Sequence, residues 1–203
     1  MLVVGASHSG GDIAYEVAAA HETVLSGNIN GEVPFDIDAG STKIIFPVLF
    51  FLAHRVLTLR LPMGPKMRTH LRAHGGPLIR IKRADLVRAG VEIAPARTVE
   101  VRDGRPALDD GRVLDVANVV WCTGFRHAFE WIKLPVVGQD GWPLEQRGVV
   151  ASLPGLYFTG LAFQYAFSSM LVGGAGRDAE YVVRHLDQRA RSVPPVRPVT
   201  YAV

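Results

Sequence analysis

Near the N-terminus, six residues stand between an apolar triplet and a helical run. Leu2-Val3-Val4 leads into Gly5-Ala6-Ser7-His8-Ser9-Gly10, and helical character follows from Asp12 to Ala20. A strand, a Gly-rich turn and a helix can hold a diphosphate. The free amides at the helix N-terminus point at the anion, and the helix dipole favours its charge. Gly5 suits the tight turn and Gly10 the close packing of helix on strand. Ser7 stands where G-x-G-x-x-G has its middle glycine, which narrows the approach of backbone to phosphate. Gly5, Ser7, His8, Ser9 and Gly10 are therefore candidate coenzyme contacts. Taken alone, the loop serves equally well as a plain strand-to-helix connection.

Other chemistries find little support. Tyr15, Tyr157, Tyr165 and Tyr181 each lack a lysine four residues on, which removes a Tyr-x-x-x-Lys dehydrogenase pair. Asp109-Asp110 reads as a turn, and Asp12 as a residue opening a helix, where capping and dipole complementation are its role. No side chain is expected to act as a catalytic acid or base. His70 and His74 form the one loose pair at metal-ligand spacing and lack further ligands, so no metal is expected. The single cysteine, Cys122, excludes an internal disulfide and fits a reducing, cytoplasmic setting. A net charge of +3 is too small and dispersed to argue for nucleic acid.

The positioning elements follow from periodicity. The chain has 203 residues, enough for one domain or two small ones. Val24-Leu25-Ser26 completes β-α-β, the start of a doubly wound α/β sheet. Residues 31–42 read as loop. Ile44 to Ala53 is apolar but too short to span a bilayer, and His54, Arg55 and Arg60 interrupt its continuation. A buried or lid helix is favoured there over an interfacial helix touching a membrane surface through 44–61. A basic segment runs from Arg60 to Arg83. Ala84 to Ala89 reads as a helix closed by Gly90, Val91 to Ile93 as a strand, and Thr98 to Val113 as a small β meander with two Asp-Gly turns. Val116 to Trp121 and Leu156 to Phe158 read as buried strands, and Gly173 to Leu186 as a helix. Phe163, Tyr165 and Phe167 read first as core packing. Residues 191–203 form a Pro-rich tail.

Two further segments give the loop its context: "NVVWCTGFRHAFEWI", residues 118–132, and "PGLYFTGLAFQYAFSSMLVGGAGRDAEYVV", residues 154–183. With Gly5, Ser7, Ser9 and Gly10 they make the chain resemble the rear part of a flavin-containing-monooxygenase-like, two-dinucleotide flavoprotein. Cys122-Thr123-Gly124-Phe125 matches the Ala-Thr-Gly-like hinge of that family, with Cys in place of Ala. Gly155 to Leu161 matches the last strand of its FAD domain.

The resemblance implies a Rossmann-type NAD(P)H-binding domain over 1–121, with an apolar helical insertion at about 41–83. A hinge and the C-terminal segment of an FAD-binding domain follow over 122–190. Thr123, Gly124, Gly160 and Leu161 join the cofactor-binding candidates. The implied chemistry passes a hydride from NAD(P)H to FAD, and reduced flavin with oxygen gives a C4a-hydroperoxide that oxygenates a small-molecule substrate. In this reading the FAD loop precedes Met1, the chain is N-terminally truncated, and alone it does not hold FAD. Apolar surface left bare on Leu156 to Phe158, Phe163 and Leu171 would then favour self-association. The alternative is a non-catalytic NAD(P)-binding remnant or binding module. An NAD site commonly has an acid about 20 residues past the first glycine. Leu25-Ser26-Gly27-Asn28 has none, so NADP(H) is expected over NAD, with Ser26 and Asn28 as uncharged hydrogen-bonding partners.

Overall fold

Four short parallel strands in the order β3-β2-β1-β6 form the main sheet of a computed structural model that describes residues 1–192. β1 (Leu2–Val4) is flanked on both sides, by β2 (Val24–Ser26) and β6 (Val119–Trp121), with Leu2 opposite both Val24 and Val119. All three of its side chains are buried, which accounts for the unbroken apolar run, because a parallel strand covered on both faces has no polar side to show. β3 (Glu92–Ala94) extends the sheet beyond β2. The order is that of a Rossmann-type half.

The chain divides into two units, Met1–Phe46 with Ala73–Arg126, and Pro47–Arg72 with the residues from His127 onward. The segment at 41–83 expected as an insertion is shared between them. In the first unit, α1 (His8–Val17) and α4 (Arg83–Arg88) enclose a core of Val3, Ala6, Ala14, Leu25, Leu78, Leu86 and Val91. α1 begins at His8, earlier than the helical character suggested, so Asp12 lies inside the helix and does not open it. β4 (Thr98–Arg102) and β5 (Arg105–Leu108) form an antiparallel hairpin, and the expected third meander strand is reduced to one bridge, Ala107 to Val113. Asp109 and Asp110 do hold turns, accepting the amides of Arg97 (2.9 Å) and Arg112 (3.1 Å). β6 is shorter and less covered than a buried strand, with Trp121 65% exposed.

α2 (Thr42–Phe51) crosses from the first unit's sequence into the second's. It contains Pro47 and loosens into a π turn over Leu52–Val56. A proline removes one helix hydrogen bond and crowds the preceding turn. The favoured reading of a buried helix fails here. Only Thr42 is buried in α2, while Ile44, Ile45, Phe46, Val48 and Phe51 are exposed and Leu49 and Phe50 half-buried.

The second unit is built from the end of α2, α3 (Gly64–Ala73, whose last residue belongs to the first unit), a loop-rich stretch, and the long α5 (Val172–Ser192). Gly174, Asp178 and Val182 recur every four residues on the buried face of α5. A side chain at Gly174 would overlap the Ser168 carbonyl, so α5 starts pressed against the single turn Phe167–Met170. Leu156 to Phe158 does not form a ladder. Tyr157 bridges only to Val149, because the turn ending at Leu156 and the turn at Gly160 leave too few extended residues. Phe163 is fully buried, which corrects the expectation of bare surface there, while Leu171 is 38% exposed. Residues 193–203 of the Pro-rich tail lie outside the described residues.

Candidate functional site

The first unit gathers its candidates at the C-terminal ends of β1, β2 and β6. Gly5 takes φ +105, where an L side chain is strained, and its missing Cβ would overlap the Cys122 carbonyl oxygen. A Cβ at Gly10 would overlap the Gly5 carbonyl oxygen, which lets α1 start directly on the turn. A Cβ at Gly27 would lie 3.2 Å from the Ala6 amide nitrogen, so the exit from β2 abuts the same loop. The Cys122 amide donates to the Val4 carbonyl at 2.7 Å, and a Cβ at Gly5 would lie 3.3 Å from the Thr123 amide nitrogen, while Gly124, the next residue, has open space where its side chain would be. β1 and β6 mark where the strand order reverses, and ligands of doubly wound sheets bind in the crevice beyond such strand ends.

The electrostatics of that loop come from the start of α1. Its first i→i−4 bond runs from the Gly11 amide to the Ser7 carbonyl at 2.9 Å, so the amides of His8, Ser9 and Gly10 precede the ladder. Ser7 is the N-cap but its hydroxyl does not cap. It donates instead to the Gly76 carbonyl at 2.7 Å. No acid occupies the first turn, and His8 and Ser9 are exposed. The arrangement is an uncompensated positive helix end, open to an anion.

The Ser7–Gly76 bond was not foreseen. Gly75 and Gly76 lie over Ser7 and His8, where a Cβ on either would sit 3.3 Å from Ser7 Oγ or His8 Nδ1. The paired glycine in "HGGP" is the sequence signal, but nothing in it says which loop it covers.

The expected role of Ser26 is not met. Its side chain is buried, and its hydroxyl is committed to the Ala96 carbonyl and Thr98 Oγ1, each at 2.9 Å. Asn28 is exposed two residues beyond the end of β2. Cys122 is part-buried against the first unit's core, and burial pushes its thiol pKa up, so it is a packing residue and a poor nucleophile.

In the second unit, Gly160 and Leu161 lie in a turn where the Leu161 amide donates to Gln164 Oε1 at 3.3 Å. Phe163 in that turn takes φ +50, unusual for a bulky side chain. Beside it is a knot of buried charge. Arg147 lies 4.0 Å from the Tyr165 ring and 3.8 Å from Tyr181, while Arg177 pairs with Asp178 at 3.0 Å and donates to the His54 carbonyl at 2.6 Å. His54 is held below its ordinary pKa, first by burial and then by Arg177. Among the described residues Arg147 Nε, Gln164 Nε2 and Asp178 Oδ2 find no hydrogen-bond partner, and Gln164 and Asp178 are buried.

Among the described residues no group of three or more His, Cys, Asp or Glu is placed to hold a metal, and no helix is long and apolar enough to cross a membrane.

No protein-family model matches the chain. It is 33% identical over 189 residues to an uncharacterized CzcO-like oxidoreductase of Geobacillus kaustophilus, and 29% identical over 188 residues to the uncharacterized oxidoreductase CzcO of Bacillus subtilis. Each alignment covers 92% of this chain and 52% of the relative, so the chain spans about half the length of the curated relatives it matches. Among solved structures, a flavin-containing monooxygenase from Stenotrophomonas maltophilia superposes with a TM-score of 0.57 at 20% identity, over 93% of this chain and 49% of that one. A double mutant of a flavin monooxygenase from the same organism gives 0.58 at 23%, over 94% and 51%. These likenesses bear out the resemblance drawn from the three motifs.

Proposed function

We propose that this chain, flavin-monooxygenase-like in sequence and fold, binds NADP(H) through its first unit as part of an FAD- and NAD(P)H-dependent oxidoreductase of the monooxygenase kind. The observation that carries the reading is the uncapped, acid-free start of α1 on the Gly5–Gly10 turn. The residues fit a nicotinamide coenzyme. His8, Ser9 and Gly10 amides would receive the diphosphate, Thr123 and Gly124 would border it, and Asn28 would face the ribose. The absence of an acid after β2 supports NADPH over NADH. When bound, the coenzyme supplies a hydride. This chain's own part is to anchor the diphosphate and fix the coenzyme's direction along the strand ends. The substrate is proposed to be a small molecule, and the setting a reducing cytoplasm, in keeping with the lone Cys122.

Among the described residues no second cradle equivalent to the Gly5–Gly10 turn is found for the FAD diphosphate. The other helix start with paired glycines is α5, and there a Cβ on Gly173 would lie 2.6 Å from the Phe50 ring and one on Gly174 would overlap the Ser168 carbonyl. Those glycines serve packing. This favours the second reading, a coenzyme-binding chain without oxidase activity of its own. Calorimetry with NADPH and NADH tests the first reading, and a visible spectrum after FAD addition and desalting tests the second. NADPH binding without retained flavin is expected. No binding of either coenzyme overturns the first reading, and a near-stoichiometric flavin band with NADPH consumption in air overturns the second.

A further inference from the structure

Helix α2 exposes what helices usually bury. Ile44, Val48, Phe51 and Leu52 fall on one helical face and are 78, 59, 59 and 40% exposed. The other face does the packing, with Phe50 against Gly173 and Ala53 buried. Val172, next to Gly173, is 97% exposed, so apolar surface continues onto the start of α5.

Exposed Asp36 and Asp38 stand before α2, but from there to α4 the sequence carries cations only, of which Arg68 and Arg72 pair with Glu145 and Arg80 with Asp38. From Ala39 to Ala84 the chain carries nine of its 22 Lys and Arg and none of its 19 Asp and Glu. Lys43 immediately precedes the stripe, Arg55 follows it, and Lys66 lies on α3. All three are exposed, and none forms an ion pair among the described residues.

We propose that α2 and the π turn after it form a docking element for the surface of an anionic lipid bilayer. The apolar run is too short to span a hydrocarbon core of about 30 Å, so the helix lies in the plane of the interface. Its apolar stripe enters the acyl boundary, and the cations at its ends meet anionic headgroups. A second copy is the poorer occupant, because a two-fold contact through α2 would set Lys43, Arg55 and Lys66 of both copies in one interface.

The test is flotation of the full chain with vesicles of phosphatidylcholine alone or mixed equally with phosphatidylglycerol. Binding to the mixed vesicles is expected to be at least about tenfold tighter, given the contribution of each cation near an anionic surface. Val48→Asp with Phe51→Asp should abolish binding, and Lys43→Glu with Arg55→Glu should remove the preference for phosphatidylglycerol. Both variants replace exposed residues, and retained thermal melting with unchanged NADPH affinity checks that they fold. Failure to float, equal binding to both vesicle types, or binding that survives the double aspartate variant would overturn the proposal. So would a dimer in lipid-free buffer that the aspartate variant splits, because the stripe would then belong to a second copy.

Discussion

Ser9→Asp should push stability and coenzyme affinity in opposite directions. Ser9 is exposed in the first turn of α1, a ten-residue helix with no acid there. A carboxylate at that end complements the dipole and should stabilise the fold by about 0.3–1 kcal/mol. For a protein of this size that raises the melting temperature by roughly 1–4 °C. The same carboxylate would stand beside a bound diphosphate. At about 5 Å and an effective dielectric near 40, each diphosphate charge repels it by roughly 1.7 kcal/mol before screening. Salt leaves roughly 1.5–3 kcal/mol in total, a loss of affinity of about ten- to a hundredfold. Ser9→Asn, nearly the same shape without the charge, should bind NADPH much as the wild type does. Thermal melting and calorimetry on the three proteins give both quantities. A stabilised Ser9→Asp protein with unchanged NADPH affinity would refute the placement of the diphosphate at this helix end.

Gly10→Ala sets a methyl group onto the Gly5 carbonyl, backbone against backbone, and should cost at least about 3 kcal/mol in urea unfolding; a cost below 1 kcal/mol, an order-of-magnitude bound for a tolerated swap, would mean that α1 is not seated on the turn. Asn28→Arg should raise NADPH affinity by about tenfold or more through charge-assisted bonds while leaving NADH nearly unchanged, and an equal response from both coenzymes would remove Asn28 from the ribose. Asp85 accepts the Lys82 amide at 3.0 Å and an Arg88 N–H at 2.8 Å, with the backbone bond the larger cause of its lowered pKa. Its contribution to stability is therefore complete above the ordinary carboxylate pKa and lost as pH falls through the lowered value, so Asp85→Asn should flatten the acid limb of a stability–pH curve between those two points.

The sequence made the parallel sheet legible because its signals are local. Leu2–Val4 and Val24–Ser26 are apolar runs beside a Gly-rich turn, and the strands fall on those residues. The ends of α1 and β6 were less legible, because caps and exposure depend on neighbours far along the chain. The role given to Ser26 failed for the same reason, since its partners are Ala96 and Thr98. Hydropathy identified α2 as apolar but could not tell which way it faces. Pro47 and the π turn leave little of the helix for packing, and that balance is decided by contacts with α5 rather than by composition.

The two units are interleaved in sequence, and this governs how the chain can be made. β1 comes first in chain order among the strands of this sheet, yet one of its two neighbours, β6, comes last. The nascent first unit therefore waits with an open strand edge while part of the second unit is made, and pairing across such separations is slow. Three passages between the units, after Phe46, Arg72 and Arg126, mean that no single cut yields either unit whole. Expression of the coenzyme-binding unit alone would need residues 47–72 replaced by a short linker as well as a stop after Arg126.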